Sequence, residues 1–175
     1  MTPDTARALA RYNRWMNDKL YASALLLTDE ERKRDRGAFF GSIHNVLNHI
    51  LLADRIWLGR IAGYVPEPGF VAEGIKSHSQ LLAESFDELT QERRKTDDAI
   101  DRWVESLSAE SLAGTVRILR KGESHEYPLW WVVTHLFNHQ THHRGQATTL
   151  LFQAGHDPGV TDLFVMLNDE RLRAG

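Results

Sequence analysis

The sequence contains no cysteine, which removes disulfides, thiolate metal ligands and a cysteine nucleophile at once. No stretch reaches the roughly 18 apolar residues that a membrane span needs, and the opening MTPDTARALARYNRWMNDKL lacks the uninterrupted apolar core of a secretion signal. A cytoplasmic protein with no membrane partner is the expectation. Basic residues are not in excess: 21 Lys and Arg stand against 24 Asp and Glu, a formal net charge of −3, so nucleic acid is not an expected partner. A Walker loop, a nucleotide fingerprint and HExxH are missing, and no Ser, His and acid constellation can be argued from spacing. The ExxH pairs of a carboxylate-bridged di-metal bundle are missing too.

What is present is an ordinary globular chain. With 42% hydrophobic and 26% charged residues over 175 positions, residues 1–175 are expected to fold as a single domain around a real core. From about Thr5 to Leu27, the residues Leu9, Tyr12, Met16, Leu20, Ala24 and Leu27 recur at steps of three and four and predict an amphipathic helix, with Pro3 tolerated at its start. Ser42 can cap a second helix to about Ile61 that is apolar on most of its circumference and should be central. Gly63 to Ser77, with Pro66, Pro68 and three glycines, reads as a long crossover. A third helix is expected from about Ser79 to Leu107, with QERRKTDD as its solvated face. TVRILRKGESHEY suggests a short hairpin around Lys121-Gly122. Pro128 then opens a fourth helix ended by Gly155, and Val160 to about Arg171 forms a short last one. The expected fold is all-α: a four-helix bundle with a long crossover between helices 2 and 3 and a short C-terminal helix.

The unusual count is histidine, with nine copies, and His135, His139, His142 and His143 fall within nine residues. Residues four apart on a helix stack one above the other, so both rings of an HxxxH pair can reach one ion. Both His139/His143 and His135/His139 have that spacing. Spacing alone is weak, because this many histidines give about half of one such pair by chance. Position adds more. His139 and His143 continue the stripe of Val132, Leu136, Gln146, Ala147 and Leu150, whereas His142 falls off it toward solvent. His49 shares a buried face of the second helix with Val46, Ala53 and Ile56. His49 alone is explained at least as well by a hydrogen bond to a carbonyl; three neutral imidazoles from two helices would together make an open metal site. His135 is either a fourth ligand or a supporting group one turn earlier. His44, His78, His125 and His156 fall in loops or on presumed surfaces and are assigned nothing.

YNRWMNDKLY, HILLADRIWLGR, HLFNHQTHHRGQ and the TDLFVML near the end, taken in order, resemble the DinB family of helical metalloproteins over almost the whole chain. The resemblance implies a four-helix bundle, usually dimeric, that binds a divalent metal through three histidines. The family's second-helix H-x-x-x-x-[DE] pattern matches His49 with Asp54 at its acidic position, and its H-x-x-x-H-R-G-Q pattern matches His139 and His143. Relatives include thiol S-transferases that use low-molecular-weight thiols such as bacillithiol or mycothiol and a thiol-dependent maleylpyruvate isomerase; many have no assigned activity. The implied function is a metal-dependent thiol S-transferase joining a small thiol to a small electrophile. The alternatives are a non-catalytic stress-associated metal-binding or interaction protein and a metal-dependent hydrolase. Zinc or nickel is the expected ion, with iron or manganese also compatible.

Lesser expectations concern the surroundings. Asp54 orients a ligand or, with more weight, forms a helix-surface salt bridge. Gln146 bonds a ligand or packs, Arg144 caps or bridges outward, and Gly145 allows close helix approach. Tyr12, Asn13 and Trp15 line the first-helix side, Trp15 as core. Trp57, Trp103, Trp130 and Trp131 suit core or dimer contacts.

Overall fold

The computed structural model describes residues 1–61, 75, 77–120 and 123–174. Apart from Ile75 and Ser77, the expected crossover Gly63–Ser77 lies outside them, as does the Lys121-Gly122 turn. The elements are α1 (Pro3–Leu25), α2 (Asp29–Lys33), α3 (Ile43–Arg60), α4 (Phe86–Glu105), α5 (Ala109–Ala113), β1 (Thr115–Arg120), β2 (Glu123–Pro128), α6 (Leu129–Gln153) and α7 (Leu163–Ala174). The chain is predominantly helical, as expected, and β1 and β2 pair antiparallel as the expected hairpin, Ile118 opposite His125. Among the described residues no helix is long and apolar enough to cross a membrane.

Caps set the boundaries. Thr2 accepts from the Thr5 backbone N–H at 3.1 Å, which starts α1 at Pro3 and not at Thr5. Ser42 caps α3 as expected, accepting from the Asn45 N–H at 3.1 Å. The third long helix starts later than Ser79. The Leu82 and Ala83 N–H groups donate to Asn48 Oδ1 at 2.9 and 3.0 Å, so a side chain of α3 takes them away from helical carbonyls. Ser85 then caps α4. The short helices α2 and α5 were not expected; each is a single turn closed by a capping box, Thr28 with Glu31 and Ser108 with Ser111.

α1 and α3 each pack against both α4 and α6. The apolar interior falls into two clusters. One holds Ala6, Leu58, Ile100, Trp103, Val133 and Phe137; the other holds Leu20, Ile43, Leu47, Phe86, Leu89 and Leu151. Between them each long helix contributes buried polar groups: Asn13 and Asn17 from α1, Asp54 from α3, Arg93 and Asp97 from α4, Gln140 and Arg144 from α6. α3 and α4 both run from the Phe86 end to the Trp103 end.

This polar layer corrects three expectations. Asp54 is fully buried, not a surface ion-pair member, and accepts from Arg93 Nη1 at 2.6 Å. Arg93 lies in the run expected to be solvated; it is 2% exposed because it shares the inward stripe of Leu89, Thr96 and Ile100. Burial pushes the Asp54 and Asp97 carboxyls up, an effect the guanidinium between them opposes. Burial pulls Arg93 down, yet the two flanking aspartates raise it overall and keep it charged. Arg144 points inward and not outward, donating to Asn13 Oδ1 and to Thr141 Oγ1. Burial pulls its guanidinium down to about 10. A Cβ on Gly145 would meet nothing within 4 Å, so this glycine does not serve a close helix approach.

Candidate metal centre

Three imidazoles converge beside the polar layer. His49 stands on α3, His139 and His143 one turn apart on α6, and one ring nitrogen from each lies within 4.8 Å of the other two. His143 Nε2 is 3.2 Å from both His49 Nε2 and His139 Nε2. The opposite edges have partners. The His49 Nδ1–H donates to the His78 carbonyl at 2.8 Å, and the His143 Nδ1–H donates to Gln146 Oε1 at 2.9 Å. Those bonds put the Nε2 lone pairs of His49 and His143 face to face with no proton between them.

Electrostatics holds the rings neutral. Burial pushes His49, His139 and His143 below the ordinary imidazole value, and His139, with His143 and His49 adding to the effect, falls to about 3. Neutral imidazole is the metal-ligating form. Donors about 2.1 Å from one ion, at angles between octahedral and tetrahedral, stand roughly 3.0–3.4 Å apart, and the two 3.2 Å separations fall in that range. The residues present therefore fit a divalent cation with nitrogen preference, with no carboxylate or thiolate among the three donors.

The other sequence candidates sort clearly. Gln146 is half-buried and bonds His143. His135 is outside the cluster; its ring centroid is 5.7 Å from that of His139 and 4.4 Å from that of Trp57, and it faces a cleft. His142 is exposed, as expected. His44 is not a surface residue: it is fully buried, with Nε2 3.0 Å from the Ala83 carbonyl and 3.1 Å from Asn48 Nδ2. His78 contributes its backbone oxygen, a role no side-chain pattern reveals. Trp15 is half-buried under Lys19 Nζ and not core. Tyr12 donates its hydroxyl to the Thr161 carbonyl at 2.5 Å, and Asn13 donates to Asp97 at 2.9 Å. Trp103 is core, Trp57 half-buried, and Trp130 and Trp131 exposed.

Phe40 was missed. Its ring stacks on His49 at 4.0 Å and meets His143 edge-on at 5.5 Å, closing one side of the imidazole cluster. It lies in the turn before Ser42, where no periodicity marks a buried face. His49 and His139 also line a cleft of about 710 Å³ to which Phe40 does not contribute.

The chain is 25% identical over 172 residues to protein DinB of Bacillus subtilis (strain 168), covering 91% of each chain. Its fold is similar to the crystal structure of a DinB-like protein from Bacillus cereus ATCC 10987, with a TM-score of 0.58 and 22% identity over 84% of this chain and 91% of that one. The DinB family model matches residues 1–171, and the chain belongs to the DinB family.

Proposed function

We propose that the protein is a metal-dependent thiol S-transferase whose ion is held by His49, His139 and His143. The observation that carries this reading is the open side of the cluster: three neutral nitrogens on one side, a cleft sized for a small molecule on the other. A divalent cation there, zinc or nickel by donor type, would lower the pKa of a thiol brought beside it and so supply a nucleophile that this cysteine-free chain lacks. The His78 carbonyl and Gln146 orient two of the rings, Phe40 shuts water out on one side, and the buried rings refuse protons that would compete with an ion. In the reaction the S–H bond of a low-molecular-weight thiol breaks and its sulfur bonds to an electrophilic carbon, whose π bond opens or whose leaving group departs with the electron pair; the thiol proton goes to the anion so formed or to solvent. A homodimer is part of the proposal.

Elemental analysis of protein purified without an affinity tag should find close to one divalent ion per chain. A panel of thiols and electrophiles should then give turnover that H139A abolishes. Metal without turnover under any thiol removes the transferase reading, and hydrolysis of the electrophile without thiol incorporation replaces it with a hydrolase. Metal-free protein that takes up no added ion removes the site.

A further inference from the structure

The cleft that ends on His49 and His139 is aromatic beyond what packing the core requires. Trp57 on α3, Tyr127 at the end of β2, and Trp130 and Trp131 in the first turn of α6 all line it. The two adjacent indoles are 44% and 53% exposed and stand perpendicular, 5.9 Å between centroids. A tryptophan carries about 150–250 Å² of mostly apolar surface, so folding has left much of two such side chains uncovered at the mouth of a cavity. A volume of about 710 Å³ suits a small organic molecule and not a macromolecular segment.

Charge narrows the class. Among the described residues lining the cleft there is no Asp or Glu; those able to carry positive charge are Arg60 and the four histidines His49, His78, His135 and His139. Among the described lining residues an ammonium group would find no carboxylate counter-ion, and it would be repelled by a dication held at His49 and His139.

We propose that the cleft takes an aromatic small molecule without positive charge, its ring system held between Trp57 and the Trp130–Trp131 pair and its reactive end toward His139. This rests on the reading of the three histidines as a metal centre. Aromatic surfaces stack offset or edge-to-face, and two perpendicular indoles offer both modes to one flat guest.

The test uses 2-naphthoate as probe, with its fluorescence polarisation followed as protein is added with and without zinc. Cyclohexanecarboxylate, of the same charge without aromaticity, and 2-naphthylmethylammonium, of the same rings with the opposite charge, serve as competitors. Saturable naphthoate binding, weakened about 5-fold or more by W57A and by W131A and little displaced by either competitor, is the expected result. Trp131 is exposed, so W131A tests the idea even if W57A fails to fold. Wild-type affinity in both variants, or equal displacement by all ligands, overturns the proposal. So does a W131A protein whose sedimentation changes from dimer to monomer while naphthoate binding persists, since the indoles would then belong to a second copy. Zinc dialysis against the same proteins separates the two readings: tryptophan-dependent naphthoate binding by a chain that takes up no zinc overturns the metal centre and supports the aromatic cleft.

Discussion

At the scale of single residues the imidazole cluster makes a graded forecast. Replacing His49, His139 or His143 with alanine removes a donor, and metal affinity measured by competitive titration should fall by more than the roughly 10–100-fold expected for Gln146→Ala, which only frees the His143 ring to turn. H142A should cost far less than any of these three, because its exposed ring is not one of the converging donors and only touches His143 and Gln146 from outside. An H142A variant as damaged as H49A would mean that another face of α6 holds the ion. Asp54 carries a different forecast. Asp54→Ala leaves the Arg93 guanidinium buried with one of its two carboxylate partners gone, and urea unfolding should show a loss of about 3 kcal/mol. Removing Asp29 from its exposed contact with Lys33 should leave the unfolding midpoint in place.

At the scale of elements the long helices were legible because their start signals and apolar stripes are local. Ser42 before a helix apolar on most of its circumference, and the i, i+4 histidines in line with Val132, Leu136 and Ala147, are facts of one segment, and the structure has them where the pattern puts them. Arg93, Asp97 and His44 were not legible, since each is satisfied by a group from another part of the chain. Asp54 is on α3, Asn13 and Asn17 are on α1, and the Ala83 carbonyl lies 39 residues beyond His44. A buried arginine and a solvated one look alike until that partner is placed. The delayed start of α4 has the same origin in Asn48. Gly145 yields an element-scale prediction of its own. It lies in the interior of α6, exposed, with open space where a Cβ would go, so Gly145→Ala should stabilise the fold by about 0.5–1 kcal/mol, read as a higher midpoint in thermal unfolding.

At the scale of the whole molecule the histidines tie stability to pH. His44, His49, His135, His139 and His143 are all held below the ordinary imidazole value, burial being the leading cause in each. Above about pH 6.5 these rings are neutral in both folded and unfolded chains and add no pH dependence. As pH falls through that value the unfolded chain binds protons that the folded one refuses, so stability drops. The urea midpoint of metal-free protein should therefore fall between pH 7.5 and 5.5, and a flat profile would contradict the burial of the rings. An ion bound only by the folded chain opposes the loss, adding about 2.7 kcal/mol at a free concentration 100 times its Kd. From Ile43 to Ile56 of α3 every residue but Asn45 is buried, and the covering surfaces of α4 and α6 come later in the chain. During synthesis this helix waits on the order of ten seconds before its last cover emerges, as the stickiest part of an unfinished protein. Chaperone contact and aggregation of truncated chains should centre on it, and a nascent chain halted after residue 61 would be the form least able to stay in solution.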